Sequence, residues 1–76
     1  MNSARPVSAT VVESTTLASV AYDIAAEALR LEFRSGAIYC YLTVPRRIRQ
    51  QLIKAESKGA YFNRYIRGRF PFQKLN

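Results

Sequence analysis

The chain has 76 residues, 49% of them hydrophobic, with a formal net charge of +7. It is one domain at most, with a small core, and it is too apolar for a disordered chain. It has no histidine and one cysteine, which removes the commonest general base and metal ligand, every Ser–His or Cys–His pair, and any internal disulfide framework.

Residues 1–10 are small and polar with Pro6, and read as a flexible N-terminal tail ahead of a single domain over residues 11–76. They lack the apolar run of a secretory signal, so a reducing cytoplasm is the expected location. Residues 11–13 suggest a short strand. Thr10 and Glu13 have capping-box spacing, but the β-branched Val11 and Val12 between them argue against a helix start. Ser14, Thr15 and Thr16 form a connector.

Residues 17–29 are ambiguous. Leu17, Val20, Ala21, Ile24 and Ala28 recur at roughly helical spacing, while residues 19–23 also suit a strand followed by a turn. With Asp23 and Glu27 inside it, this run is too short and too polar to span a bilayer.

Residues 29–43 carry the clearest pattern. Leu29, Leu31 and Phe33 alternate up to Ser35-Gly36, and a second alternating run follows, with Tyr39 and Tyr41 between Ile38, Cys40 and Leu42. This predicts a β-hairpin. With a two-residue loop, Phe33 faces Ile38, Leu31 faces Cys40 and Leu29 faces Leu42 on an aliphatic side. Tyr39 and Tyr41 then lie opposite Glu32 and Arg30 on the other side, beside Arg34. Cys40 is then an inert core thiol. A three-residue loop moves the tyrosines to the opposite face.

Pro45 opens a helix as its first residue, with Ile48, Leu52 and Ala55 as the buried stripe and an end near Glu56. Ser57 is the N-cap of a second helix, and Gly59 permits a close approach. Tyr61–Tyr65 and Phe62–Ile66 are i, i+4 pairs. Gly68 and Pro71 end that helix, and Phe70 and Phe72 alternate in a basic, aromatic tail that suits a strand or an extended segment. The fold class is α+β: a small antiparallel sheet of three or four strands followed by two helices on one face.

Charge is divided unevenly. Residues 1–44 carry Arg5, Arg30 and Arg34 against Glu13, Asp23, Glu27 and Glu32, a net of −1. Residues 45–76 carry six arginines and three lysines against Glu56 alone, a net of +8. Such asymmetry points to an anionic partner.

These residues resemble the KTSC domain, named for the C-terminus of certain lysyl-tRNA synthetases and also found as a free-standing small bacterial protein. The resemblance runs through Val12 and Ser14, Tyr22-Asp23, Leu29, Phe33, Gly36, Tyr39, Tyr41, Val44-Pro45, Ala55, Ser57, Gly59, Tyr61-Phe62-Asn63 and Ile66-Arg67, and covers residues 11–72. It implies strand and turn over residues 19–28. It also implies a role with RNA, which has been suggested for the family; without a synthetase body, aminoacylation does not carry over.

The expected function is therefore a non-catalytic RNA-binding domain for single-stranded or tRNA-like RNA. Tyr39 and Tyr41 stack bases beside Arg30 and Arg34; Arg46, Arg47, Lys54, Lys58, Arg64, Arg67 and Arg69 contact phosphates; Asn63 reads a base edge or 2′-hydroxyl. In the structural alternative, the tyrosines pack under residues 70–72, Gly59 and Asn63 only shape the helix junction, and the arginines form a solvated face. The functional alternative is a protein-interaction module that docks an acidic partner or self-associates, as a monomer or weak dimer. No cofactor, metal, membrane partner or enzymatic role is expected.

Overall fold

The computed structural model describes residues 7–12 and 14–76, the first five as backbone. Residues 1–6 of the expected tail, and Glu13 of the capping-box spacing, lie outside the described residues. The elements run β1 (Val7–Val11), β2 (Leu17–Asp23), β3 (Ala28–Phe33), β4 (Ile38–Tyr41), α1 (Arg46–Lys54), α2 (Lys58–Tyr65) and β5 (Phe72–Lys74). The sheet is antiparallel throughout, in the order β1-β2-β3-β4-β5. The α+β class holds: four strands precede the two helices, and the C-terminal segment adds a fifth on the far side of β4.

The first strand lies earlier than residues 11–13. β1 pairs Val7 with Asp23 and Val11 with Ser19, so it begins within the residues assigned to the tail. The reason is β2, seven residues long, whose outer backbone needs a partner along most of its length.

Residues 17–29 form strand, turn and strand, as the family resemblance implied. Val20 and Tyr22 alternate inward against Leu31 and Leu29. A register shift between Leu17 and Ser19 brings Leu17 into the same core. The turn is closed by the Asp23 carboxylate, which accepts from Ala26 N–H at 3.2 Å.

The β3–β4 register differs from the two-residue-loop expectation. Leu29 pairs with Tyr41, Arg30 with Cys40, Leu31 with Tyr39 and Glu32 with Ile38. Phe33 N–H donates to Ala37 at 2.9 Å, and Gly36 N–H donates back to Phe33 at 2.9 Å. The loop is therefore Arg34-Ser35-Gly36, with Gly36 at φ +97°. A two-residue loop on Ser35-Gly36 would need a left-handed serine; three residues leave that conformation to glycine. The slip reverses the faces. Tyr39 and Tyr41 join Leu29, Leu31 and Phe33 on the core side, while Cys40 lies with Arg30 on the other, half-buried.

The core lies between that sheet face and the helices. Leu17, Val20, Tyr22, Leu29, Leu31, Tyr41 and Val44 meet Leu52 of α1, Phe62 of α2 and Ile66. Each large side chain buried there is worth roughly 1.5–3 kcal/mol. Tyr22 Oη donates to the Val44 carbonyl at 2.6 Å, so its hydroxyl is buried without loss.

Pro45 is the N-cap of α1 rather than its first residue; its ψ of 150° is extended. Ser57 caps α2 as expected, its oxygen accepting from Ala60 N–H at 3.2 Å. A Cβ at Gly59 would stand 2.5 Å from Thr16 Oγ1, which fixes glycine where α2 crosses the β1–β2 connector. Gly68 takes φ +73° in the turn after α2, and the chain then returns to the sheet as β5.

Candidate nucleic-acid interface

The new register gathers aromatic side chains at one end of the helix-covered face. Phe33 meets Tyr39 edge-on at 5.8 Å and Phe62 at 5.2 Å. Tyr41 meets Phe62 edge-on at 5.7 Å. Phe72 of β5 sits opposite Tyr41 in the ladder, 5.4 Å from its ring and 5.6 Å from that of Tyr39. Edge-to-face and tilted pairs at these separations are each worth about 0.5–1.5 kcal/mol beyond burial.

The rings do not close over one another. They line a groove of about 550 Å³ with Ser35, Ala37, Arg67 and Gly68 at its rim. Tyr41 forms the floor and is 4% exposed; Phe72 forms a wall and is 54% exposed. Burial raises the Tyr41 pKa above the ordinary tyrosine value, and neighbouring Tyr39 adds to the rise, so the floor is a neutral phenol at physiological pH. Arg67 reaches toward Asn63, donating to Oδ1 at 3.4 Å.

A second aromatic pair lies on the other flank of α2. Tyr61 and Tyr65 have ring centroids 4.7 Å apart, and the Arg64 guanidinium lies 5.6 Å from the Tyr65 ring. Tyr61 Oη donates to Gln51 of α1 at 2.9 Å. Burial and then Tyr65 raise the Tyr61 pKa, against an opposing pull from Arg47.

The twelve residues expected to contact RNA do not form one surface. Tyr39, Tyr41, Asn63 and Arg67 belong to the groove region. Arg64 and Arg47 flank the Tyr61–Tyr65 pair. Arg30 stands on the opposite sheet face, paired with Cys40, so it does not flank the tyrosines. Arg34 is turned to the β1–β2 connector, donating to the Ser14 carbonyl at 3.0 Å and the Val12 carbonyl at 3.2 Å. Lys58 donates to the Ala55 carbonyl at 3.0 Å and bridges the helices. Arg46, Lys54 and Arg69 are exposed.

Sequence reasoning missed Phe33 and Phe62 as groove residues and the exposed ring of Tyr65, whereas the structural alternative, Tyr39 and Tyr41 packed under residues 70–72, is met by the Phe72 ring. The alternation of Phe70 and Phe72 already suits a strand in the sequence, and Phe72–Lys74 form β5.

Among the described residues no helix is long and apolar enough to cross a membrane. A family model described as the KTSC domain matches residues 13–70. The chain is 36% identical over 64 residues to a lysine–tRNA ligase of Nostoc punctiforme, covering 84% of this chain and 11% of the ligase. A lysine–tRNA ligase of another Nostoc strain is 38% identical over 64 residues, with the same coverage. The chain thus spans about a ninth of the length of these relatives. An uncharacterized protein of Stutzerimonas stutzeri is 39% identical over 56 residues, which are 74% of this chain and 79% of that one. The crystal structure of a KTSC domain protein from Yersinia pestis superposes with a TM-score of 0.88 at 34% identity, covering 93% of this chain and all of the other. The aromatic groove and the two-helix half are thus features of a chain that belongs to the KTSC domain family.

Proposed function

We propose that this domain is a non-catalytic, cytoplasmic binder of single-stranded RNA, with one base held in the aromatic groove and the adjoining phosphate on Arg67. The observation that carries the reading is the groove itself: an open slot with a half-exposed phenylalanine wall and an arginine in its lining, where Phe62, Arg67, Gly68 and Phe72 come from the half of the chain that holds a net +8. Single strands are held by aromatic stacking plus a basic track, with stacking worth about 1–3 kcal/mol per base. Lysine–tRNA ligases contain a similar stretch, and by their name they act on an RNA. That likeness supports RNA as the ligand class.

The test uses fluorescence anisotropy with a labelled short single-stranded RNA. Phe72→Ala removes a half-exposed ring and its contacts with Tyr39 and Tyr41, so affinity should fall about tenfold, with stability lowered by about 1–3 kcal/mol and the fold at the assay temperature checked by circular dichroism. Arg67→Glu should weaken binding to all sequences alike.

The three-residue edge strand β5, with Phe72 exposed on it, supports the alternative of an acidic protein partner. RNA binding weakens steeply with salt. An aromatic-anchored protein contact depends on salt far less.

A further inference from the structure

The Tyr61–Tyr65 pair is not accounted for by the groove, and the fold uses only half of it. Tyr61 is partly buried and ties α2 to α1 through Gln51. Tyr65 is 45% exposed, and what it faces is charge: Arg64 lies beside its ring. On the α1 side, Arg47 is close enough to act on Tyr61. Arg47 also sits in the first turn of a helix that has no acidic residue there and no side-chain cap. A helix N-terminus disfavours cations, so this placement runs against the local rule, as functional residues often do.

Helical geometry relates this pair to the groove. Tyr61 and Tyr65 occupy one stripe of α2, the buried Phe62 the next and Asn63 the one after, with Arg67, just past the Ile66 C-cap, donating to Asn63 Oδ1. The two aromatic positions therefore lie on opposite flanks of α2, with Arg64 on the ground between them and Arg67 at the groove. A helix with its side chains is about 10–12 Å across, a span of only a few nucleotides.

Resting on the RNA reading, we propose that Tyr65 is a second base-stacking position. A single strand would cross α2 with one base in the Phe72–Tyr39 groove, another on the Tyr65 ring, and the intervening phosphates on Arg64 and Arg67. Charge complementarity selects this occupant: α1 and α2 contain no acidic residue.

The experiment measures binding of an oligouridylate of about six nucleotides by anisotropy, and follows the rings of Tyr65 and Phe72 by NMR in the same mixture. In the wild type both rings should shift. Tyr65→Ala should lose about tenfold in affinity while the Phe72 shifts remain, and Tyr65→Phe should keep the wild-type affinity, because stacking needs the ring and not the hydroxyl. Arg64→Gln, at an exposed position in the last turn of α2, should weaken binding severalfold with the far-UV circular dichroism unchanged. Wild-type affinity in Tyr65→Ala, with Phe72 still shifting, would overturn the second position and leave the groove standing. No shift at either ring in the wild type would overturn both.

Discussion

Leu31 stands opposite Tyr39 across the β3–β4 ladder. This one pairing decides which face of the sheet carries the tyrosines. It turns what alternation alone offers as a solvent-facing platform into the floor and wall of a groove beneath α2, and separates both rings from Arg30.

The first consequence concerns Tyr41. Its ring is buried against Phe62 and Phe72, so Tyr41→Ala should cost about 3–5 kcal/mol, as other buried aromatic truncations do. In a domain this small that is a large share of the total stability. Chemical denaturation should find the variant largely or wholly unfolded, so it reports on the core and not on binding.

The Tyr22 hydroxyl and the Val44 carbonyl tie β2 to the start of α1 at 2.6 Å. Tyr22→Phe keeps the ring and leaves the buried carbonyl without this donor. We expect a loss of about 1–2 kcal/mol, and a melting temperature lower by several degrees in calorimetry.

Gly59 and Thr16 form a coupled pair. Alanine normally favours a helix over glycine by about 1 kcal/mol, but here its Cβ would meet Thr16 Oγ1 at 2.5 Å. Gly59→Ala should destabilise by about 1–3 kcal/mol. Thr16→Ala removes the nearest atom and should recover part of that loss, since Thr16 Cβ still stands at 3.1 Å. A double-mutant cycle in urea measures the coupling.

Stability should also fall in alkali. Burial raises the pKa of Tyr22, Tyr41 and Tyr61 above the ordinary tyrosine value; Glu27 adds to the rise at Tyr22, Tyr39 at Tyr41 and Tyr65 at Tyr61. The folded state therefore holds these protons more tightly than the unfolded chain does. Their contribution is complete below pH 10.0, the unperturbed value, and is lost as pH rises through the raised folded values. Urea midpoints should be flat from neutral pH to about pH 10 and decline above it.

The sequence is most informative where local chemistry is decisive. Ser57 as a cap, Gly68 as a left-handed residue and Leu52 as the buried residue of α1 all follow from it. It misleads where a single residue count sets a whole face: Ser35-Gly36 and Arg34-Ser35-Gly36 are equally readable loops, and they differ in every side chain downstream. It is silent where tertiary contact decides. Arg34 reads as a free cation beside the tyrosines, yet its guanidinium is taken up by the Ser14 and Val12 carbonyls, 20 and 22 positions away in the chain. The groove is also non-local, since Phe33, Phe62 and Phe72 converge only once β5 returns beside β4.

The most direct test of the central claim is a backbone and aromatic-ring NMR titration with short single-stranded RNA at two salt concentrations. Shifts concentrated at Tyr39, Arg67 and Phe72 that shrink as salt rises are the predicted result. An unchanged spectrum at low salt, or shifts confined to the Arg30–Cys40 face, would contradict it.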